Sequence, residues 1–417
     1  MCRPRVLSTR ESDEIAGELA KVGVHPGGIE KLVPKGVVRL VKVRRLPAAA
    51  AHILKQTMLS IGGDVGVSYG SLTMHDATTD AIILGTETHF RRLIENLKPQ
   101  PLNLRELSEE IEKALARFNR RRFRVAAGKH VLDVGRGSGG RTLLMGIVNV
   151  TPDSFSDGGE FFGPDRAAGR CFQLAEEGAD IIDVGGESSR PGSEGVSAEE
   201  ELRRVMPVLE KVSGKLDVPV SIDTVKPQVA REAVAAGASI VNDISGLDNE
   251  EMIAAVAELG AAVVIMHIKG TPRTMQANPH YDDLMTEIID FLAERMEAAV
   301  RGGVPEEKIL VDPGIGFGKT ADDNYRIIHR LEELRCLGRP IVVGPSRKSF
   351  IGKVVKGTPR ERVFGTAAAV ALCIENGADV LRVHDVREMK EVAAVADEFV
   401  ALRAGMAEGH AGSEEPK

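Results

Sequence analysis

"VDPGIGFGKT", residues 311–320, decides between two folds. A phosphate-cradling loop reads Gly, four residues, then Gly-Lys-Ser/Thr, and it lies between a strand and a helix of an open nucleotide-binding sheet. Counting back from Gly318 puts Pro313 where the first glycine belongs. Proline has no backbone N–H to give a phosphate. The stretch is a near miss, and its meaning depends on the strands around it.

From residue 142 onward short apolar runs alternate with amphipathic stretches. The strand candidates are 142–150, 180–186, 219–224, 239–245, 261–267, 309–314, 340–344 and 380–385. Each is a nearly unbroken run of Val, Ile and Leu, the pattern of strands buried on both faces of a parallel sheet. Between them 164–179, 197–212, 283–301 and 361–377 have helical spacing. Eight strand–helix units in one domain of this size match a closed (β/α)8 barrel, an α/β fold. An open doubly wound sheet would need fewer strands. The decapeptide then follows the sixth strand, where its glycines let backbone approach a neighbour or a flat ring closely.

Asn149, Asp183, Asp223, Asn242, Asp243, His267, Asp312 and His384 all stand at or near the last positions of these strands. In such a barrel that end carries the active site, so eight polar residues in phase predict a lined pocket. A second near miss precedes the barrel. Gly135, Gly137 and Gly140 have the spacing of a dinucleotide-binding fingerprint, which should open a helix. The strand-like "RTLLMGIVNV" follows instead, so these glycines are expected to form the turn of a hairpin that enters the barrel.

Residues 1–125 read as a separate α/β domain with a helix near 10–22, an extended 36–43, a helix from Pro47, a strand at 81–86 and two more helices. Residues 126–141 are the expected linker and hairpin, with "RFNRRRFRVAAGKH" the linker candidate, 142–404 the barrel and 405–417 a flexible tail. A chain of 417 residues with 43% hydrophobic and 28% charged residues is an ordinary globular protein of two domains. No apolar run is long enough to span a bilayer, and acidic residues interrupt the first stretch before a signal peptide could form. The net charge of −7 and the absence of tryptophan argue against a nucleic-acid partner, despite five arginines in 117–124. Four scattered cysteines without metal or redox spacing suit a reducing cytoplasm.

Eight ordered motifs, "MGIVNVTPDSFSDGG", "GADIIDVGGESSRPG", "VSIDTVKP", "VNDISG", "VIMHIKGTPRTMQ", "VDPGIGFGKT", "GPSRKSFIGK" and "LRVHDV", together closely resemble the dihydropteroate synthase family over residues 142–403. The resemblance implies that 6-hydroxymethyl-7,8-dihydropterin pyrophosphate is joined to p-aminobenzoate with release of pyrophosphate, in folate synthesis. It also implies a sulfonamide target and a homodimer, and it matches longer members that carry an N-terminal extension.

The residue types fit that chemistry. A pterin presents alternating donors and acceptors that a buried site must satisfy. Asp223, Asn242 and Asp312 suit the aminopyrimidine edge, Lys348 the carbonyl side, and Met266 and Phe317 the ring faces. Arg382 and His384, two apart on the last strand, are expected as paired cations for the leaving pyrophosphate. The resemblance gives Asn149 a Mg²⁺ ion bridged to that pyrophosphate. Ser349, at an apparent helix start, would take the p-aminobenzoate carboxylate. Phe155 and Asp157 on the first loop, and Ser189, Arg190 and Pro191 on the second, would close over the site. Lys348, Arg382, His384 and Asp157 are the expected catalytic groups. Ser189 stands where the family commonly has threonine, and Ile268 and Lys269 where it often has Met and Gln. A pterin-binding methyltransferase barrel and a silent pterin-binding protein are the rival readings; "SRKS" with "RVHD" favours the synthase, because only it needs a diphosphate site.

Overall fold

The computed structural model describes residues 3–9, 11–73, 75–135, 140–151, 163–190, 192–193 and 195–403. Phe155, Asp157, Pro191 and the 405–417 tail lie outside the described residues. Described residues up to Asn119, with 401–403, form one compact unit, and Arg120–Val400 form another.

The first unit runs α1 (Ser12–Lys21), α2 (Pro26–Gly36), β1 (Val38–Pro47), α3 (Ala48–Ser60), β2 (Asp64–Val67), α4 (Tyr69–Leu72), β3 (Thr78–Thr86), α5 (Glu87–Leu97) and α6 (Leu104–Phe118). Its antiparallel sheet has the order β1-β3-β2. Alternate residues Ala81 and Ile83 of β3 turn inward onto Leu54 and Met58 of α3 and Phe90, Leu93 and Leu97 of α5, as a period of two requires. Two elements escaped the sequence pattern. In α2, "PGGIEKLVPKG" looks like a loop, yet Pro26 occupies a first-turn position where a missing N–H costs nothing; β2 has only four residues.

The second unit opens with a hairpin, β4 (Arg122–Ala127) and β5 (His130–Gly135), whose turn is at Gly128 and Lys129. This corrects two expectations. Residues 117–130 are the end of α6 and this hairpin rather than a linker, because Phe123, Val125 and Ala127 alternate with Arg122 and Arg124 and bury one face. The turn lies before the glycines at 135–140 rather than on them, and 136–139 are outside the described residues.

The barrel follows as β6 (Leu143–Asn149), α7 (Pro164–Glu177), β7 (Ile181–Gly185), α8 (Ala198–Val212), β8 (Val220–Asp223), α9 (Pro227–Ala235), β9 (Ile240–Asp243), α10 (Glu250–Leu259), β10 (Ala262–Met266), α11 (Leu284–Arg301), β11 (Ile309–Asp312), α12 (Ala321–His329), β12 (Val342–Val343), α13 (Ser349–Gly352), α14 (Val363–Glu375), β13 (Val380–Val383) and α15 (Val386–Arg403). Eight parallel strands are ordered β11-β10-β9-β8-β7-β6-β13-β12. A parallel bridge between Val311 and Ile341 closes the ring.

Strand parity sets what enters the ring. Leu143, Met145, Ile181, Ile240, Val264, Leu310, Val342 and Val380 form an apolar layer with the hairpin's Phe123, Val125 and Val134. The alternate residues, among them Val148, Val184, Ile222, Val263 and Leu381, pack with the helices. Continuing the inward register toward the strand C-termini reaches Asn149, Asp183, Asp223, Asn242, Met266, Asp312 and Arg382. Asp243 and His267 have the opposite parity. Six of the eight polar strand ends therefore share the inward register, and two serve the outer layer.

Candidate active site

The centre of the mouth is a buried charge chain. Arg382 donates from Nε to Asp183 Oδ2 and from Nη2 to Asp223 Oδ2, both at 2.6 Å. Asn242 donates to the same Asp183 oxygen at 3.2 Å. Asp183 is fully buried, and its other carboxylate oxygen has no hydrogen-bond partner among the described residues. Ring-reading groups and arginine thus meet at one rim. Burial pushes Asp223 up, to about 7, helped by Asp183 and opposed by Arg382.

Asp312 completes the acceptor set from β11. Burial raises its proton affinity, while the Gly314 N–H at 2.6 Å, Lys348 and Arg382 pull it down. Lys348 answers from the segment after β12: its Nζ donates to the Ile315 carbonyl and lies 4.4 Å from the centre of the Phe317 ring. Burial lowers the lysine to about 8, against the pull of Asp312. Met266, Met275 and Phe317 form a small apolar cluster with Ile244 and Ile268 at its edge. A cavity of about 370 Å³ opens beside Asp223, lined by Ser189, Thr224, Ile244, Ile268 and Phe291 among others.

The decapeptide is not a phosphate loop. Its Gly314 and Gly316 N–H groups are already taken by Asp312 Oδ1 and Asn324 Oδ1, at 2.6 and 2.7 Å. Gly314 and Gly318 have φ of +69° and +68°, and a Cβ there would stand 1.9 Å from the His267 carbonyl oxygen and 2.4 Å from that of Lys269. Only glycine permits that backbone contact.

His384 differs from the expected cation. Burial and the nearby Arg347, Arg382 and Arg190 hold it down at about 3, so it is neutral near pH 7. Ser346 Oγ accepts from the His384 backbone N–H at 3.3 Å and stands 3.0 Å from Nδ1. A hydroxyl that accepts from the backbone N–H keeps its own proton for Nδ1; with that bond made, the ring proton sits on Nε2, the arrangement taken below for the proposed chemistry. Arg382 differs too, since two carboxylates already engage its guanidinium. The pair is an arginine committed to the floor beside a neutral N–H donor.

Other placements are plain. Asn149 ends β6 in the inward register, half-buried. Ser189 and Arg190 lie in the loop after β7, which is tied to the segment after β10 by Gly192 N–H to the Pro272 carbonyl at 3.2 Å. Ser349 starts α13, but that helix is a single turn, so little dipole supports a carboxylate there. Lys269 is accounted for by Glu287, at 3.0 Å, and by the Tyr281 ring. Lys55, in the first unit, ties α3 to β2 through Asp64 and the Val65 carbonyl.

Sequence reasoning passed over several groups. Asp183 was visible as a polar strand end, and its parity with Asp223 could have ranked it. Ser346 and the Arg347–Asp385 ion pair, which locks the segment after β12 to the end of β13, have no such signal. Neither has Lys226, which bridges Glu187 and the fully buried Glu201 behind Asp223.

A family model described as pterin binding enzyme matches residues 145–384. A curated "Probable bifunctional folylpolyglutamate synthase/dihydropteroate synthase" of Halobacterium salinarum is 42% identical over 383 residues, 92% of this chain, which spans only 45% of that relative's length. A Synechocystis dihydropteroate synthase is 49% identical over 272 residues, 65% of this chain and 93% of the relative. The Xanthomonas albilineans dihydropteroate synthase, solved with 4-aminobenzoic acid, superposes with a TM-score of 0.62 at 44% identity, over 67% of this chain and 98% of that one.

Proposed function

We propose, from the premise that this chain belongs to the pterin-binding enzyme family and within it to the dihydropteroate synthases, that it joins 6-hydroxymethyl-7,8-dihydropterin pyrophosphate to p-aminobenzoate. The enzyme transfers a group other than methyl. The C–O bond between the pterin methylene and pyrophosphate breaks, the arylamine nitrogen forms a C–N bond to that methylene, and the amine gives up one proton. Products are 7,8-dihydropteroate and pyrophosphate.

The observation that carries this reading is the charge chain Asn242–Asp183–Arg382–Asp223 with Asp312 and Lys348 at the same mouth. Asp183, Asp223 and Asp312 offer acceptors to the pterin's N–H edge, and Lys348 a donor to its carbonyl. Such a set, buried and held by the barrel before substrate arrives, needs little reorganisation on binding. Met266 and Phe317 supply apolar contact to the ring. Electron release from the ring stabilises positive charge at the methylene as pyrophosphate leaves. His384 Nε2–H donates to the departing diphosphate, and Arg382 supports it through its field. Ser189 and Arg190 close from the second loop, with Phe155, Asp157 and Pro191 proposed alongside them, and Ser349 is the proposed carboxylate contact of p-aminobenzoate.

Asn149 fits a hard cation, because its amide oxygen is a neutral oxygen donor at the mouth and pyrophosphate brings its own oxygens. Among the described residues no group of three His, Cys, Asp or Glu side chains could hold a metal ion alone, so Mg²⁺ would share ligands with the substrate. When bound it would offset charge on the leaving group.

We further propose a homodimer, sulfonamide inhibition by mimicry of p-aminobenzoate, and a cytoplasmic setting. The buried free thiols Cys171 and Cys373 support the last. Among the described residues no helix is long and apolar enough to cross a membrane. A coupled pyrophosphate assay with both substrates, with and without Mg²⁺, tests the proposal. Release that requires both substrates is expected; no release from folded protein would refute it.

A further inference from the structure

Lys319 is buried, 2% exposed, and among the described residues no carboxylate is in hydrogen-bond contact with it. Its Nζ lies 2.8 Å from His267 Nδ1, 2.9 Å from the Phe317 carbonyl and 3.4 Å from the His267 carbonyl. Burying an amine this way is costly unless its contacts offset the lost hydration. Burial holds its proton affinity well below the ordinary lysine value. His267 is also neutral, pulled down to about 2 by burial and by Lys319, which leaves one ring nitrogen able to accept; an N–H of Lys319 directed at Nδ1 makes that the acceptor.

The contacts identify what the lysine holds. Four successive carbonyls of the segment after β11 each accept from a different side chain: Ile315 from Lys348, Gly316 from Gln276 at 2.9 Å, Phe317 from Lys319, and Gly318 from the Tyr281 hydroxyl at 2.8 Å. Lys319 is the donor of this set that also grips the end of β10, through His267. The same segment carries Phe317 and lies directly after Asp312.

We propose that Lys319 is a positioning residue of the reaction: seated between His267 and the Phe317 carbonyl, it fixes the segment after β11 against β10 and so sets the floor on which the pterin ring rests. It acts through Phe317 and the Asp312–Gly314 turn, and touches no reacting atom. This inference depends on the pterin reading of the mouth given above.

Steady-state kinetics in both substrates separate the two. Wild-type turnover tests the pterin reading, and Lys319→Met then tests the positioning role. The expected result is a KM for the pterin substrate raised at least tenfold, with the KM for p-aminobenzoate changed less than threefold. A merely structural role would lower the active fraction, and hence kcat, leaving both KM values in place. That outcome, or an unchanged pterin KM, would overturn the proposal. Should Lys319→Met fail to fold, His267→Ala removes the acceptor and His267→Asn restores one near Nδ1. Recovery of pterin KM by Asn but not Ala supports the role, and equal behaviour of the two refutes it.

Discussion

Replacing Arg382 by alanine should destabilise the barrel as well as stop turnover. The guanidinium bonds Asp183 and Asp223 at 2.6 Å each, and those residues are 0% and 8% exposed. Removing one partner of a buried pair leaves charge without compensation and costs about 3–5 kcal/mol. For a domain of this size each kcal/mol shifts Tm by roughly 2–4 °C, so a fall of roughly 6–20 °C is expected. The sign of its pH dependence follows from Asp223, which sits at about 7 even with Arg382 present, against about 3.9 in an unfolded chain. Between those values the folded chain binds more protons than the unfolded one, so this carboxyl's contribution to stability falls as pH rises. Without Arg382 the folded value climbs further and the fall extends upward. Differential scanning fluorimetry should therefore show a larger deficit near about pH 8 than near about pH 5.5. Adding Asp183→Asn and Asp223→Asn to Arg382→Met should restore most of the Tm and none of the pyrophosphate release. A Tm for Arg382→Ala equal to wild type, or a deficit that does not change with pH, would refute the buried-pair account.

The pH profile of kcat/KM for the pterin substrate reports the free enzyme; it should rise as Asp223 ionises, through about 7, and fall as Lys348 loses its proton, through about 8. Lys348→Arg should push the alkaline limb out of range, and a profile without an alkaline limb in wild type would exclude Lys348 as the donor. Ser346→Ala removes the hydroxyl that fixes His384, and the loss of about one net hydrogen bond, ~0.5–1.5 kcal/mol, predicts a two- to roughly tenfold drop in kcat. ¹⁵N chemical shifts of His384 should show the Nε2–H tautomer in wild type and a mixture in the variant, and a mixture already present in wild type would remove the basis for it. Gly314→Ala sets a Cβ 1.9 Å from the His267 carbonyl oxygen, whereas Gly303, also at positive φ (+96°), has its nearest atom at 3.6 Å. Gly303→Ala should cost only the left-handed backbone penalty, about 1–2 kcal/mol, and Gly314→Ala distinctly more, both read by urea denaturation.

The barrel was legible because its strands are buried on both faces, which makes each one a short, nearly continuous apolar run, and because eight such runs alternate with amphipathic stretches. Strand ends were legible for the same reason: a carboxylate closing a Val-Ile run marks where burial by the sheet stops and the mouth begins. Parity pairs Arg382 with His384 in the sequence, and the same count reaches the other strand ends. Counting in twos from Leu143, Ile181, Ile240, Val264 and Leu310 separates Asn149, Asp183, Asn242, Met266 and Asp312 from Asp243 and His267. A hairpin was expected here, but its first strand was hidden by its arginines. Arg122 and Arg124 occupy one face of β4 and dominate the composition of the segment, while Phe123, Val125 and Ala127 bury the other and plug the ring.

Charge was the part least available in the sequence, since residue types state what a group offers and not to whom it is already committed. Arg382 and His384 look like two free cations on adjacent inward positions of one strand. In the folded chain the arginine must neutralise Asp183 and Asp223, because three buried carboxylates with no nearby cation would be expelled or protonated. That commitment keeps a positive charge beside His384, and with Arg347 and burial it denies the imidazole its own proton. The outcome follows from the crowding itself: a second cation could be kept there only by an anion close enough to repay its desolvation. Pyrophosphate is such an anion. A histidine poised as a neutral donor, with Nδ1 occupied by Ser346, can bond to it through Nε2 without first being charged, and can gain a proton only while the diphosphate is in place. Binding inorganic pyrophosphate to the folded enzyme should therefore raise the His384 pKa above its value of about 3. An imidazole ¹⁵N titration that shows no upward shift on saturation would place the diphosphate elsewhere in the mouth.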